Sequence, residues 1–391
     1  MVTIFFILIV FLLFLIYERI LVNRWRNSIS LRISVTGIRG KSSVVRMIAS
    51  ILREDGRTVL AKTTGSEAKY ILPDGSEKDV QRRGIPSILE QKKILKKAVG
   101  LGVDCLVVEI MSIHPENHYV ESRQILKPNL VVLTNVRIDH PDAMGSTAEQ
   151  IASVLCLDFP EKAVVFIPEK ENRKIFQSTV DLAQGKLISV QTGISDQLEV
   201  HNPDSLQTEF SDNMDLVYSV GKFLKIEDKI ITAGLSNVRY DIGRLKVWKY
   251  PIENTKKICY LVNGFAANDP LSTIEVISKI KAKLPVSGRA FIGLLNLRSD
   301  RADRTEQWIH ALKNGAADHF SKIYAIGTHA NIIKHKLKKL EVIKSKAAKE
   351  IMEKIVSGLD DQAVIFGFGN IGGLGRLVID YWNNQGEDYG I

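Results

Sequence analysis

The sequence has 391 residues, 45% hydrophobic, 25% charged and 7% aromatic, room for two or three domains and unlike collagenous, low-complexity or disordered chains. Its 53 basic against 44 acidic residues leave a net charge of +9, which suits an anionic partner: nucleic acid, lipid headgroups, nucleotide phosphates or a polyacid. Three widely spaced cysteines, Cys105, Cys156 and Cys259, exclude a disulfide framework and a Cys-built zinc site.

Residues 2–17 (VTIFFILIVFLLFLIY) form an uncharged apolar run, followed by Glu18, Arg19, a second apolar patch at Ile20, Leu21 and Val22, and then Arg24 and Arg26. About 20 apolar residues cross a bilayer core, so residues 1–22 are expected to be a single transmembrane anchor. A cleaved signal peptide needs a basic leading region and a small-residue cleavage site, and neither is present. Arginines on the C-terminal side predict a cytoplasmic body.

From residue 31 onward, short β-branched runs alternate with helical patterns. Strands are expected at 32–36, 58–62, 105–110, 130–135, 163–167 and 187–190, with helices at 42–54, 85–99, 115–125 and 147–157. Several of these strands read as continuous apolar runs, which implies burial on both faces of a mostly parallel α/β sheet. A second set of strands is expected at 257–263, 289–295, 322–326 and 363–366. The polar stretch 194–212 reads as a loop and 233–243 as a hinge, giving a central domain over 30–240 and a smaller C-terminal α/β domain over 244–391.

The sharpest local signal is LRISVTGIRGKSS, residues 31–43, where a strand runs into Gly37-x-x-Gly40-Lys41-Ser42 and then a helix. Glycines let backbone N–H groups turn toward phosphate, and the helix N-terminus adds positive potential. Lys41 is placed to reach the β- and γ-phosphates, with the Ser42 hydroxyl as a Mg²⁺ ligand. The longer form of the pattern has Gly where Val35 stands, so this is the shortened turn. Two other strands end in polar groups: CLVVE ends at Glu109, and LVVLTN continues to Asp139 and His140. A nucleotide-bound Mg²⁺ takes one or two carboxylates, and Glu109 at a strand tip suits that role.

The ordered set GxxGKS, VVE109 and TN135xxxDH140 resembles the central ATPase domain of the Mur ligase superfamily. KTTG (62–65), VNGFAAND (262–269), LNLRSDRADRT (295–305) and VIFGFGNIGG (364–373) are similar to its poly-γ-glutamate synthase branch. The resemblance implies ATP and Mg²⁺, or Mn²⁺, as cofactors. It implies catalytic roles for Lys41, Glu109 and His140, with Ser42, Glu109 and His140 as metal ligands. Nucleotide contacts are then Gly37, Gly40, Lys41, Ser42, Ser43, Asn213 (adenine), Arg244 (phosphates) and Asn263, where the wider family has Asp near the ribose. Thr64, Arg298 and Arg301 fall to the substrate. The implied activity is an ADP-forming, ATP-dependent γ-glutamyl ligase in which glutamate and a poly-γ-glutamate chain meet through an acyl phosphate. Small membrane subunits are expected as partners and nucleic acid is not. No carbamoylated Lys is assigned. The alternatives are a membrane-anchored nucleotide switch or ATPase, and a ligase for another amino acid.

Several motifs invite other readings. Gly367-Phe-Gly369-Asn-Ile-Gly372 matches GxGxxG, but the chain ends at Ile391 without room for the second strand and acid of a dinucleotide fold, so a loop at the ligand cleft is expected. His114 and His118 flank a Pro-containing segment that lacks further zinc ligands. The basic stretches 92–97 and 334–339 read as solvated helix faces. Arg298, Arg301 and Arg304, alternating with Asp300 and Asp303, suggest an ordered charge network.

Overall fold

The computed structural model describes residues 2–65, 68–82, 84, 86–200, 211–239, 243, 245–252, 258–267, 269–284, 289–334, 339–359 and 362–389. They form two compact units, one drawn from residues 1–240 and the other mainly from 241–391.

In the first unit the helices are α1 (Val2–Asn27), α2 (Lys41–Glu54), α3 (Glu90–Gly100), α4 (Pro115–Tyr119), α5 (Pro141–Met144), α6 (Ala148–Leu155), α7 (Lys174–Leu182), α8 (Ser211–Phe223) and α9 (Asp228–Ser236). The strands are β1 (Leu31–Thr36), β2 (Val59–Lys62), β3 (Lys69–Ile71), β4 (Glu77–Asp79), β5 (Cys105–Glu109), β6 (Leu130–Leu133), β7 (Val164–Pro168) and β8 (Lys186–Val190). They make one sheet in the order β4-β3-β2-β5-β1-β6-β7-β8. All neighbours from β2 to β8 pair in parallel. The β3–β4 hairpin extends the edge antiparallel.

Alternate residues of the central strands enter different cores. Ile33 and Val35 of β1 pack with Val44, Val45 and Ile48 of α2, and Leu130 and Val132 of β6 join the same cluster. Val131 and Leu133 face Ile151 and Leu155 of α6 on the other side. Leu106 and Val108 of β5 meet Ile94 and Leu95 of α3. Burial on both faces is the reason these strands lack polar alternation. The chain leaves β1 through α2 to β2 on one side and reaches β6 on the other, so the order reverses at the C-terminal end of β1. Open α/β sheets bind ligands at such a point.

Several local expectations change. The helix foreseen over 85–99 is described from Glu90, and that over 115–125 divides into α4 and a π-helical turn, Val120–Leu126. The β3–β4 hairpin escapes the sequence pattern because its strands are three residues each, too short to show a period. The foreseen hinge begins inside α9, whose apolar face with Ile231 and Leu235 is buried on α2 and so stays helical. The N-terminal helix also runs past residue 22. α1 is one helix to Asn27, and Val22 is buried in the core of the unit beside Ile94, Leu95 and Ala98.

The second unit contains β9 (Val247–Pro251), β10 (Ile258–Asn263), β11 (Ala290–Asn296), β12 (Lys322–Ile326), β13 (Leu340–Val342), β14 (Ala363–Gly369) and β15 (Glu387–Asp388). Its helices are α10 (Pro270–Lys283), α11 (Ala302–Lys313), α12 (Ala330–Ile333), α13 (Ala348–Val356) and α14 (Leu374–Gln385). The sheet order is β13-β12-β11-β14-β10-β9-β15. β9 and β15 run antiparallel at one edge. Val262, Leu295 and Phe366 face the Trp308 cluster, and Leu261, Leu294 and Ile365 the Trp382 cluster, so this sheet too is buried on both faces.

Candidate nucleotide and phosphoryl-transfer site

The phosphate turn follows β1 at the point where the strand order reverses. Gly37 has φ 109° and Gly40 φ 79°, a left-handed conformation that glycine adopts without Cβ strain. Gly40 caps α2 with no side chain over the helix start. The α2 amides, together with the helix dipole, therefore form an anion-binding terminus. A Cβ on Gly37 would collide with Thr134 Oγ1, so this position is also a close backbone approach.

Asn135, after β6, clamps the turn. Its Oδ1 accepts the Arg39 N–H at 3.0 Å, its Nδ2 donates to the Arg39 carbonyl at 3.0 Å, and its own carbonyl accepts from Ile38 N–H at 3.3 Å. Lys41 Nζ donates to the Gly37 carbonyl at 2.8 Å and the Ile38 carbonyl at 3.3 Å, lying along the turn it belongs to. Burial draws the Lys41 ammonium below the usual lysine range, and the Glu109 charge opposes that shift.

Glu109 is the meeting point. It ends β5, beside β1, and is almost fully buried. Its Oε2 accepts the Ser42 hydroxyl at 2.7 Å and the Thr64 N–H at 2.7 Å. Phosphate helix, carboxylate strand and KTTG loop therefore converge on one oxygen. Gly65 makes this possible, since a Cβ there would run into Ser42 Oγ. A hydroxyl beside a carboxylate is a hard-oxygen donor set that fits Mg²⁺ or Mn²⁺ completed by phosphate and water. Among the described residues no group of three His, Cys, Asp or Glu forms a metal cage, so nucleotide oxygens would have to supply part of the shell.

The other expected residues have defined places. His140 follows β6 on left-handed backbone, φ 49° and ψ 56°, at the start of α5, and its N–H donates to Asp139 Oδ1 at 3.1 Å. Ser43 sits in the first turn of α2. Asn213 lies in the first turn of α8 with its amide against Gly40, which places it at the phosphate turn. Arg244 lies outside the described residues.

In the second unit Asn263 ends β10, buried, with Oδ1 accepting from Phe265 N–H at 3.4 Å. Arg298 is forked onto Asp300, at 2.9 and 2.6 Å, and its guanidinium lies against Gly372. Arg301 precedes α11, and Arg304 is buried. Asn296 Nδ2 donates to the carbonyls of Asn370, at 2.5 Å, and Gly372, at 2.9 Å. The LNLRSD and GFGNIGG segments therefore form one polar loop pair at the ends of adjacent parallel strands.

Behind the turn lies a polar group that carries no sequence motif. Asp158 is fully buried in the 3₁₀ turn Cys156–Asp158. It accepts from Thr36 Oγ1 at 2.5 Å and from Ser122 Oγ at 2.9 Å, and faces His118 Nδ1 at 2.9 Å. Thr36 is the last residue before Gly37, so this cluster holds the end of β1. Burial acts to lower the His118 pKa, but the Asp158 carboxylate outweighs it and holds the imidazolium above its ordinary value. His118 is thus engaged by a carboxylate.

Glu121, also fully buried, accepts from Gln91 Nε2 and from the Met111 and Ser112 N–H groups, fixing the loop after Glu109. Burial pushes its carboxyl up, against the pull of these donors. Ser122 and Glu121 share the π-helical turn, a distortion that often marks functional surroundings.

Two family models match the chain. Residues 35–239 match the Mur ligase middle domain, and residues 249–385 match the poly-gamma-glutamate synthase CapB C-terminal domain. The chain belongs to the Mur ligase superfamily, in its CapB branch. It is 30% identical over 366 residues to the PGA synthase CapB of Bacillus subtilis (strain 168), covering 90% of each chain. It is 28% identical over 363 residues to the capsule biosynthesis protein CapB of Bacillus anthracis, covering 90% of this chain and 76% of that one. Among solved structures, the bifunctional folylpolyglutamate synthase/dihydrofolate synthase of Yersinia pestis complexed with AMPPNP and Mn ion superposes with a TM-score of 0.70. That match is 12% identical and covers 93% of this chain and 92% of the other. At that identity the likeness concerns the fold, and the family assignment makes the protein an ATP-dependent amide ligase.

Proposed function

We propose that this ligase polymerises glutamate into poly-γ-glutamate. The γ-phosphoryl of ATP passes to the carboxylate at the end of the acceptor chain, and the amine of an incoming glutamate displaces phosphate to leave an amide, ADP and phosphate. The observation that supports this most is the convergence of Ser42, Glu109 and Thr64 on one carboxylate oxygen, which joins the phosphate turn to the loop expected to face substrate. A turn of this type grips the β- and γ-phosphates, so the terminal phosphoryl is the group presented for transfer.

In this reading Lys41 leaves the Gly37 and Ile38 carbonyls to meet the phosphates, while the α2 amides, Gly37, Gly40 and Ser43 position them. Ser42, Glu109 and His140 would hold Mg²⁺ or Mn²⁺, which neutralises charge developing on the phosphoryl oxygens. Asn213 lies against the turn and contributes to the nucleotide face. Arg244 and Asn263 are assigned to the nucleotide and Thr64, Arg298 and Arg301 to the anionic substrate, on their positions in the motifs. The relatives named as capsule and PGA synthases support glutamate as the monomer.

α1 is long and apolar enough to cross a membrane. We take it as the single span of a membrane-bound enzyme with a cytoplasmic body, working beside small membrane subunits that handle the polymer.

The test is a product assay on membranes given ATP, Mg²⁺ and single labelled amino acids, with hydroxylamine to intercept the activated carboxylate. ADP and phosphate formed in step with a glutamyl hydroxamate are expected. AMP and pyrophosphate would replace the acyl phosphate with an adenylate. ATP turnover indifferent to every amino acid would point to a nucleotide switch instead.

A further inference from the structure

α1 does not end in a loose tether. Glu18, the first charge after the apolar run, is paired with Lys92 of α3 at 2.8 Å. One turn later Val22 enters the core with Ile94, Leu95 and Ala98. Arg26 then donates to the Gln124 carbonyl at 3.2 Å and to Asn23 Oδ1 at 2.7 Å. The anchor helix is thus built into the first unit, and α3 is held at a fixed height on it. The apolar run of residues 2–17 spans about 24 Å at about 1.5 Å per residue, against a hydrocarbon core of about 30 Å. That is about 6 Å short, a mismatch met by local thinning of the bilayer and snorkelling of the flanking charges, so Glu18 and Arg19 mark the level where the apolar core gives way to headgroups, and the Glu18–Lys92 pair sets the first turn of α3 at that level.

α3 has two faces. Ile94, Leu95 and Ala98 point into the protein, while Leu89, Lys93 and Lys96 form an exposed stripe at helical spacing. On α1, Arg19 and Arg24 are exposed. The neighbouring acids are already engaged: Glu18 by Lys92, and Glu90 by Lys62 at 2.9 Å and Arg82 at 2.8 Å. The outward charge is therefore positive, with an exposed leucine at its leading end.

We infer that Leu89, the N-cap of α3, and Lys93 and Lys96 of α3, with Arg19 and Arg24 of α1, form a bilayer-facing surface that binds anionic phospholipid headgroups and fixes the orientation of the ligase body on the membrane. The inference rests on the reading of α1 as a membrane span. Anionic lipid is favoured as the occupant because the Glu18–Lys92 pair places the stripe at the end of the apolar run. There the phosphate layer meets the protein, and each basic residue contributes about a fivefold preference for an anionic surface. The stripe at 92–97, which as sequence reads as a solvated face, gains this role only from its position beside α1.

The test uses the full chain in vesicles. Cys105, Cys156 and Cys259 are all buried, so a Leu89→Cys or Phe14→Cys substitution offers one accessible thiol for a fluorophore. Vesicles are made of phosphatidylcholine alone or mixed with phosphatidylglycerol, with a nitroxide quencher on the headgroup or in the acyl chain. Headgroup quenching at position 89 is expected in the anionic vesicles, and weaker quenching in phosphatidylcholine or in high salt. Adding Lys93→Gln and Lys96→Gln should lower the docked-to-undocked ratio about 25-fold. Acyl-chain quenching at position 14 reports the span separately. Its loss would remove the anchor reading, whereas quenching at 14 with none at 89 would overturn the surface alone. Quenching at 89 that ignores lipid charge and both substitutions, or that needs a co-reconstituted membrane protein, would also overturn it.

Discussion

Replacing Asp158 by Asn should loosen the end of β1 and with it the phosphate turn. The side chain keeps its shape but loses the charge facing His118 Nδ1, and the new amide cannot accept from Thr36, Ser122 and His118 together. Breaking one partner of a buried charged pair costs about 3–5 kcal/mol. Taking the lower figure, amide protection set by opening of this region should fall about 150-fold, at about 1.4 kcal/mol per decade. His118 also titrates. His118 is held above its ordinary value of 6.5 by Asp158, with Glu121 adding to that pull and Lys41 opposing it. A group raised in this way stabilises the fold fully below its unfolded pKa and loses that contribution as pH rises through the folded one. Wild-type protection should thus decline above about pH 6.5, and Asp158→Asn should abolish that slope. The assay is peptide-resolved hydrogen exchange over residues 31–44 and 115–126 of the full chain, corrected for the intrinsic base-catalysed rate. Wild-type exchange rates and an unchanged pH slope in the variant would refute the argument.

Lys41→Ala should abolish ATP-dependent ligation while circular dichroism stays that of the wild type, because this lysine acts by charge on phosphate and donates to carbonyls of the turn itself. Glu109→Ala and His140→Ala should each raise the Mg²⁺ concentration needed for half-maximal activity or remove activity, and a metal titration unchanged in both would take them out of the metal site. Asn135→Ala removes two hydrogen bonds of about 1 kcal/mol each and should raise the KM for ATP by about tenfold or more, read by steady-state kinetics. Truncation after residue 17 should keep the unfolding temperature in calorimetry. Truncation through residue 27 should lower it, since burial of Val22 alone is worth about 1.5 kcal/mol or more.

The chain itself determined the parts of this protein that are local. The apolar run of α1, the glycines and lysine of the phosphate turn and the both-faces-buried strands follow from periodicity, backbone freedom and burial, each legible within a few residues. That Glu109 would meet the turn was readable for a related reason: in a parallel sheet, polar groups collect at strand ends. What the order of residues does not disclose is which polar group meets which across the sheet. Asp158 sits in an unremarkable CLDFP segment, yet folding brings it 122 residues back to Thr36. Asn135 becomes a clamp because β6 lies beside β1, and Glu109 gains Ser42 and Thr64 because β5 lies between β1 and β2. The β3–β4 hairpin was too short to show a period, and the α4–π-turn break reflects buried Glu121 and Ser122 bonding to a loop and to Asp158, a tertiary demand that overrides helix propensity. Tertiary structure likewise decided that α1 continues into the body and that the lysines of α3 stand beside it, because that depends on Val22 packing against a helix some seventy residues away.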